Sequence, residues 1–443
     1  MEFKDRKKET KEIQEVLNSD KFEFLVLYGR RRVGKTELIL NSIKKKKAIY
    51  YFSVGEKNLE RFYETCKGFD KEIEKLRMDF EVIIDYLKDK IDVLVIDEFQ
   101  EMIKEDKNIL NIFQALIDTK LKNSKLKLIF LGSSVSMINS KVLSYQSPLY
   151  GRKTNSMKLK PINFFDMHEF FPDKTMQELV EIYGFADGIP FYLIKIDSPL
   201  WGFIQKEVSE EKGFLKDEVN FLMKYEFEDT STYKLILEAI ANGKNKLGEI
   251  KDFIKVKRTD LGPYLQNLID VDFIKREVPI TENLKSRDGR YCLKDNFLNF
   301  WFKYIYPNLS SIESKAFDVS FIKDNYSEYL GRIFEKVCEE FTIKNDFFKF
   351  NRVGRWWYKD KEIDVIALND SKKEILFGEC KWKEKVNALE ILKDLEEKSQ
   401  FVDWNLGKRK ESFAVFAKSF SKKVNEFNGK KVYCFDLEDF ERG

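Results

Sequence analysis

Histidine is almost missing: His168 is the single one in 443 residues. That absence excludes serine-histidine triads, histidine-metal nucleases and most zinc hydrolases, and leaves carboxylates, lysines and bound metals as the means of catalysis. His168 lies in the aromatic-rich stretch FFDMHEFF with no catalytic partner beside it, so core packing is the expected role. The five cysteines (Cys66, Cys292, Cys338, Cys380 and Cys434) are far apart and form no CxxC pair. Neither a structural zinc site nor a disulfide framework is expected, and a reducing cytoplasm fits. No apolar run approaches the roughly eighteen residues of a membrane span. The start, MEFKDRKKET, lacks the apolar centre of a signal peptide, so no membrane partner is expected. An excess of either charge is also lacking: 79 Lys and Arg nearly cancel 76 Asp and Glu, for a net +3. Any basic surface for a nucleic acid must therefore be local.

What is present is apolar and aromatic. Hydrophobic residues make up 43% and aromatics 15%, with 40 Phe, a composition that folds and does not stay disordered. The chain exceeds what one core usually sustains, so two or three domains are expected. Up to about residue 205, short apolar runs (FEFLVLYG, AIYYFSV, VLVIDEF, LKLIFLGSS) alternate with helical patterns such as TELILNSIKK. Continuous apolar strands between helices predict a parallel sheet flanked by helices, an α/β domain over 1–205.

Over 206–310 the pattern turns helical (TYKLILEAIANG, KLGEIKDFI, TDLGPYLQNLIDVDFI) and ends in a hairpin-like KREVPITENLKSRDGRYCL. Three helices and a terminal hairpin describe a winged helix. Leu261, Leu265, Leu268 and Ile269 form the apolar stripe of its third helix, with Lys255, Lys257 and Arg258 just before it. DNA contact and mere packing between domains are equally compatible with that pattern. Pro307 and LSSIESK mark a short linker, and no internal repeat occurs. The remaining residues, 311–443, read as a small α/β unit of their own.

The segment Gly29-Arg30-Arg31-Arg32-Val33-Gly34-Lys35-Thr36 matches GxxxxGK[ST] between the strand FEFLVLY and the helix TELILNS. This is the context that a P-loop requires. Its backbone N–H groups and helix N-terminus would cradle the phosphates of ATP, Lys35 would reach the terminal phosphates, and Thr36 would ligate Mg2+. The strand Val93–Ile96 ends in Asp97 and Glu98, at the carboxyl edge where open α/β sheets collect ligands. Asp97 is expected to hold Mg2+, and Glu98 to orient or deprotonate the attacking water. Capping of the following helix is the alternative role for this pair. Ser133 and Ser134 end the next strand as candidate γ-phosphate sensors, although serines also cap turns. Arg152 and the arginines Arg30, Arg31 and Arg32 are candidates to stabilise transition-state charge, with solvated surface as the alternative for each.

The GRRRVGKT loop, the DEFQ box, the GSS after the fourth strand, the segment SPLYGRKTNSMKLKPINFFDMHEFFP and GFADGIPFYL together resemble the archaeal ATPase family of the STAND and AAA-like group. The resemblance covers roughly the first 200 residues. It implies ATP hydrolysis, a winged helix after the ATPase domain, and a C-terminal domain of the PD-(D/E)XK, restriction-endonuclease-like fold.

Residues of the last segment carry their own signal. Glu379 and Lys381 stand two apart on the strand EILFGECKW and so share a face, while Asp364 lies on the preceding strand EIDVIAL. From spacing alone, a metal-holding group and an exposed ion pair with a surface Asp are equally supported. The D…ExK order, implied by the resemblance to be that of a PD-(D/E)XK nuclease, favours the metal site with Mg2+ or Mn2+, although no Pro precedes Asp364. Glu335 on the helix GRIFEKVCEE is a further candidate ligand, and Lys381 would orient water or stabilise phosphate charge. Trp356, Trp357 and Tyr358, beside Lys359 and Lys361, are placed either to flank nucleic acid or to serve as core or interface. The expected function is an ATPase joined to a metal-dependent DNA nuclease, with ATP and DNA as partners and a second copy of the chain as a further candidate. The alternative is a nucleotide-driven switch whose last domain binds DNA or protein without cutting.

Overall fold

A computed structural model describes residues 4–255 and 260–442. Lys257 and Arg258, two of the basic residues expected before the third helix of the winged-helix segment, lie outside the described residues. The chain forms two compact units, one of residues 1–162 with the short segments 189–192 and 270–272, the other of the remainder.

The first unit is built on a five-stranded sheet of β1 (Glu23–Tyr28), β2 (Ala48–Phe52), β3 (Val93–Asp97), β4 (Lys127–Gly132) and β5 (Asn155–Lys158), in the order β2-β3-β4-β1-β5. Every pairing is parallel. The continuous apolar strands have the cause expected of them: successive side chains point to opposite faces, and both faces are covered. Phe24, Val26, Leu94, Ile96, Leu128 and Phe130 enter one core. Leu25, Leu27, Val93, Val95, Ile129 and Leu131 enter the other, with Leu38 and Ile39 of the helix Lys35–Ile43. Phe99 stacks on Phe130 with ring centroids 3.8 Å apart, so the residue that follows Glu98 anchors the end of β3. Burial of such a ring is worth about 2 kcal/mol.

In the second unit, helices Ser231–Ala241, Leu247–Phe253 and Gly262–Asp270 precede an antiparallel pair, β6 (Ile274–Glu277) and β7 (Arg290–Leu293). Leu261, Leu265 and Leu268 are buried as the stripe predicts, while Lys255 is exposed. The long helix Ser320–Lys344 leads into β8 (Arg352–Tyr358), β9 (Lys361–Asn369) and β10 (Glu374–Lys381). These form an antiparallel meander. After β11 (Val386–Asn387) and the helix Ala388–Ser399 come β12 (Lys410–Ala417), β13 (Phe420–Lys422), β14 (Glu426–Phe427) and β15 (Lys430–Phe435). β12 lies parallel to β10, and the six-stranded order is β14-β15-β12-β10-β9-β8.

One expectation fails here. His168 is exposed, not packed in a core, because the turn Phe164–Glu169 is a 3-10 helix whose Phe164 and Met167, three residues apart, take the inward positions. Among the described residues no helix is long and apolar enough to cross a membrane.

Candidate active site

The nucleotide loop leaves β1 through Gly29, whose N–H donates to the carbonyl of Gly132 on β4. A Cβ at Gly29 would stand 2.4 Å from the carbonyl oxygen of Leu159, and Gly34 has φ +91°, so both positions require glycine. Lys35 is buried and its Nζ donates to the carbonyls of Gly29 and Arg30 at 2.8 and 2.9 Å. The ammonium is thereby held against the backbone of the loop.

The structure brings Thr36 and Asp97 together. The Thr36 hydroxyl donates to Asp97 Oδ2 at 2.7 Å. Asp97 continues the face of Val93 and Val95, the same face that covers the loop's own helix. A hydroxyl beside a carboxylate is a hard oxygen set that fits Mg2+. Glu98 has φ +52°, an unusual conformation for a side chain other than Asn or Asp. Its carboxylate accepts from the Ser133 hydroxyl and from Gln100 Nε2, with the Arg31 guanidinium at 3.9 Å.

The remaining candidates divide. Arg30, Arg31 and Arg32 are part-buried, and Arg32 stacks over the Phe191 ring at 3.8 Å, so they are not a solvated surface. Ser134 is buried at the start of the short helix Val135–Met137. Arg152 makes a bidentate ion pair with Asp118 at 2.9 and 2.6 Å and also donates to the carbonyl of Pro148. It braces the loop 144–152 through Asp118 and Pro148, and among the described residues its hydrogen-bond partners do not include Asp97 or Glu98.

Three residues escaped the sequence reading. Tyr50 on β2 donates its hydroxyl to Asp97 Oδ2 at 2.5 Å, and burial together with that carboxylate raises its pKa. Ser53 gives both its N–H and its hydroxyl to the Asp97 carbonyl, at 2.9 and 2.5 Å. Gln100 stands two residues beyond Glu98 in the DEFQ box. Only Gln100 had a signal, its place inside that box. Tyr50 and Ser53 are revealed only by the β2–β3 pairing, in which Phe52 faces Asp97.

The carboxylates of the second unit also converge. The antiparallel register pairs Gly378 with Val365, which sets Asp364 and Glu379 opposite each other one residue further on. Asp364 Oδ2 accepts from the Cys380 N–H at 2.9 Å. Packing and the nearby charges of Glu335 and Glu379 raise the pKa of Asp364 well above the usual carboxylate range. Packing first, with Glu362 and Glu379 adding to it against the pull of Arg355, raises that of Glu335 as well. Lys381 donates to Glu379 at 2.7 Å, and Lys398 of the helix Ala388–Ser399, absent from the sequence reading, reaches both Glu379 oxygens at 3.2 and 3.3 Å. Burial works against the charge on Lys381, but Glu379 outweighs it and the pKa is raised. Glu335 is paired with Arg355 at 2.8 Å.

Each carboxylate is thus already engaged, and among the described residues no group of three or more His, Cys, Asp or Glu side chains is arranged to hold a metal ion. The exposed-ion-pair alternative fails, since Glu379 is 3% exposed. Trp356 enters the domain core. Trp357 Nε1 donates to the Asp288 carbonyl at 2.9 Å beneath Arg290. Tyr358 alone of the three aromatics is exposed.

A test of this electrostatic reading is thermal. A carboxyl whose folded pKa is raised contributes most to stability below its unfolded pKa, near 4, and that contribution is lost as pH rises through the folded value. Asp364→Asn keeps an oxygen for the Cys380 N–H and removes the charge. The variant should melt several degrees above the unsubstituted chain at neutral pH, with the gap closing towards pH 4. An equal gap at every pH would sink the reading.

Residues 3–196 match a family described as ATPase domains predominantly from Archaea, and residues 301–393 match a family of archaeal and bacterial proteins of unknown function. A relative from Methanocaldococcus jannaschii, the uncharacterized protein MJECL04, is 50% identical over 445 residues, covering 99% of this chain and 100% of the relative. The Walker-type ATPase PABY2304 of Pyrococcus abyssi superimposes with a TM-score of 0.53 at 24% identity, over 68% of this chain and 96% of that one, a likeness of fold. The ORC2 protein of Aeropyrum pernix, in its ADPNP–ADP complexes, has a TM-score of 0.49 at 14% identity over 71% of this chain and 95% of its own. The P-loop and the Asp97–Glu98 pair therefore lie within an ATPase domain.

Proposed function

The chain belongs to the family of its full-length Methanocaldococcus jannaschii relative, and from that premise we propose a Mg2+-dependent ATPase whose hydrolysis serves a DNA-processing second unit. The observation that carries the ATPase half is the 2.7 Å contact of Thr36 with Asp97, which puts a hydroxyl and a carboxylate together at the end of the nucleotide loop. Mg2+, when bound by Thr36 and Asp97, supplies charge neutralisation on the phosphates. Lys35 and the loop N–H groups bind and orient the terminal phosphates. Glu98 orients the attacking water and takes its proton at a carboxylate oxygen, and Ser133 and Gln100 hold that carboxylate in place. Arg31 stands near enough to Glu98 to act on developing charge.

For the second unit the reading is a winged helix over 206–310 followed by a PD-(D/E)XK, nuclease-like domain over 311–443. Its support is the meander β8–β9–β10 with β12 parallel to β10, and the convergence of Asp364, Glu379, Glu335 and Lys381 at the end of that meander. A STAND-type switch that binds DNA or protein without cutting is the second reading. It is favoured by the engagement of each carboxylate with Arg355, Lys381, Lys398 or the Cys380 N–H. Incubation of the full chain with supercoiled, linear and single-stranded DNA, with Mg2+ or Mn2+ and with or without ATP, separates the two. Cleavage supports the nuclease, whereas retarded but intact DNA supports the switch. ATP turnover indifferent to every DNA form, without binding, would remove DNA from the proposal.

A further inference from the structure

Tyr50 has no place in the loop-and-carboxylate pair that defines a P-loop ATPase, yet it sits against the pair's central carboxylate. Its hydroxyl donates to Asp97 Oδ2, the same oxygen that receives the Thr36 hydroxyl. The other oxygen, Oδ1, accepts from the N–H of Glu98 at 2.7 Å. The Asp97 carbonyl is held by the N–H and hydroxyl of Ser53. Two side chains from one stretch of β2 and its exit therefore restrain Asp97 at separate points, Tyr50 at the carboxylate and Ser53 at the peptide that leads into Glu98.

The local fold explains how. Tyr50 pairs with Val95 in the parallel β2–β3 register, two residues before the Phe52–Asp97 pair. Its ring packs beside Val95 on the face shared with the P-loop helix, and the long phenol spans the distance to Asp97 that Ser or Thr at the same position would leave open. Tyr51, one residue on, points to the opposite core and bonds Asn58, so a single-residue slip would lose the contact.

We propose that Tyr50 is a positioning residue for the metal half of the ATPase site: its hydroxyl fixes the Asp97 carboxylate in the orientation that faces Thr36, and so sets the affinity of the nucleotide complex for Mg2+. Ser53 has the complementary task of fixing the peptide from which Glu98 projects. The inference rests on the ATPase reading of the first unit and not on that of the second. A hydrogen bond to an ionised partner is among the stronger ones in a protein. Without it, Asp97 has two donors in place of three and a wider choice of rotamers.

The test is equilibrium binding of ADP to the full chain, first in EDTA and then in rising Mg2+, with Mn2+ bound to the ADP complex counted by electron paramagnetic resonance. Tyr50→Phe keeps the ring and deletes the hydroxyl. Affinity for ADP in EDTA should be unchanged, and the Mg2+ needed for half-saturation should rise about tenfold, with Mn2+ weakened in parallel. Ser53→Ala should slow turnover and leave the Mg2+ titration where it was. An unchanged Mg2+ titration in Tyr50→Phe overturns the proposal. A fall in metal-free ADP affinity of the same size overturns it too, because that is the signature of a purely structural hydroxyl. Failure of the ATPase reading itself looks different: the unsubstituted chain would then bind no ADP in either condition.

Discussion

Glu98→Gln should bind ATP as tightly as the unsubstituted chain and hydrolyse it at least about a hundredfold more slowly. The amide preserves shape and still accepts from Ser133, but it cannot take a proton from water. The loss therefore falls on the transition state and not on the ground state. The geometry sharpens the contrast with Lys35→Ala. In the structure Lys35 Nζ holds the carbonyls of Gly29 and Arg30, so its removal deletes the charge that meets the terminal phosphates and also the brace under the loop. That variant should lose ATP binding itself. Isothermal titration with ATP and a phosphate-release assay, run on both proteins, separate the two effects. Full-rate hydrolysis by Glu98→Gln would exclude Glu98 as the water-activating group.

How much of this could be read before folding depends on whether the information was local. The P-loop was legible because its chemistry lies in consecutive residues and its context, a buried strand before and a helix after, is written in the same stretch. Asp97 and Glu98 were legible for a similar reason, as carboxylates at the end of an apolar run. Ser133 was marked by the end of another strand, and the structure brings its hydroxyl to Glu98.

Tyr50 and Ser53 were not legible, because AIYYFSV is an ordinary β-prone sequence and only the pairing of β2 with β3 brings it to Asp97. His168 was misplaced by composition: FFDMHEFF is apolar enough for a core, but a 3-10 turn presents every third residue inward and His168 is not one of them. In the second unit the period of two along β10 correctly set Glu379 and Lys381 on one face. The neighbours that change their meaning, Arg355 on β8 and Lys398 on a later helix, come from elements whose sequence separation hides them.

Those neighbours also shape the prediction with the largest expected effect. If the second unit cuts DNA, Asp364→Ala and Lys381→Ala should each abolish cleavage while leaving ATP hydrolysis by the first unit intact, and EDTA should stop cleavage by the unsubstituted chain. The argument runs from repulsion. Burial together with the charges of Glu335 and Glu379 makes Asp364 costly to ionise, and burial with Glu362 and Glu379 does the same to Glu335, a cost that a fold keeps only where the charges have a use or a counter-charge. Here the counter-charges are Arg355 on Glu335 and Lys381 with Lys398 on Glu379. Cleavage then requires that Arg355 and Lys398 release their carboxylates, so activity should emerge only under conditions that loosen those pairs. Loss of ATP binding through Lys35→Ala should alter cutting without abolishing it, since the two sites belong to separate units and any coupling between them is a shared conformational equilibrium. Cleavage that survives Asp364→Ala would come from another site or another protein. If the full chain cuts no DNA form under any combination of Mg2+, Mn2+ and ATP, and calorimetry detects no Mn2+ at these residues, the ion pairs are the purpose of the carboxylates and the second unit is the binding half of a nucleotide-driven switch.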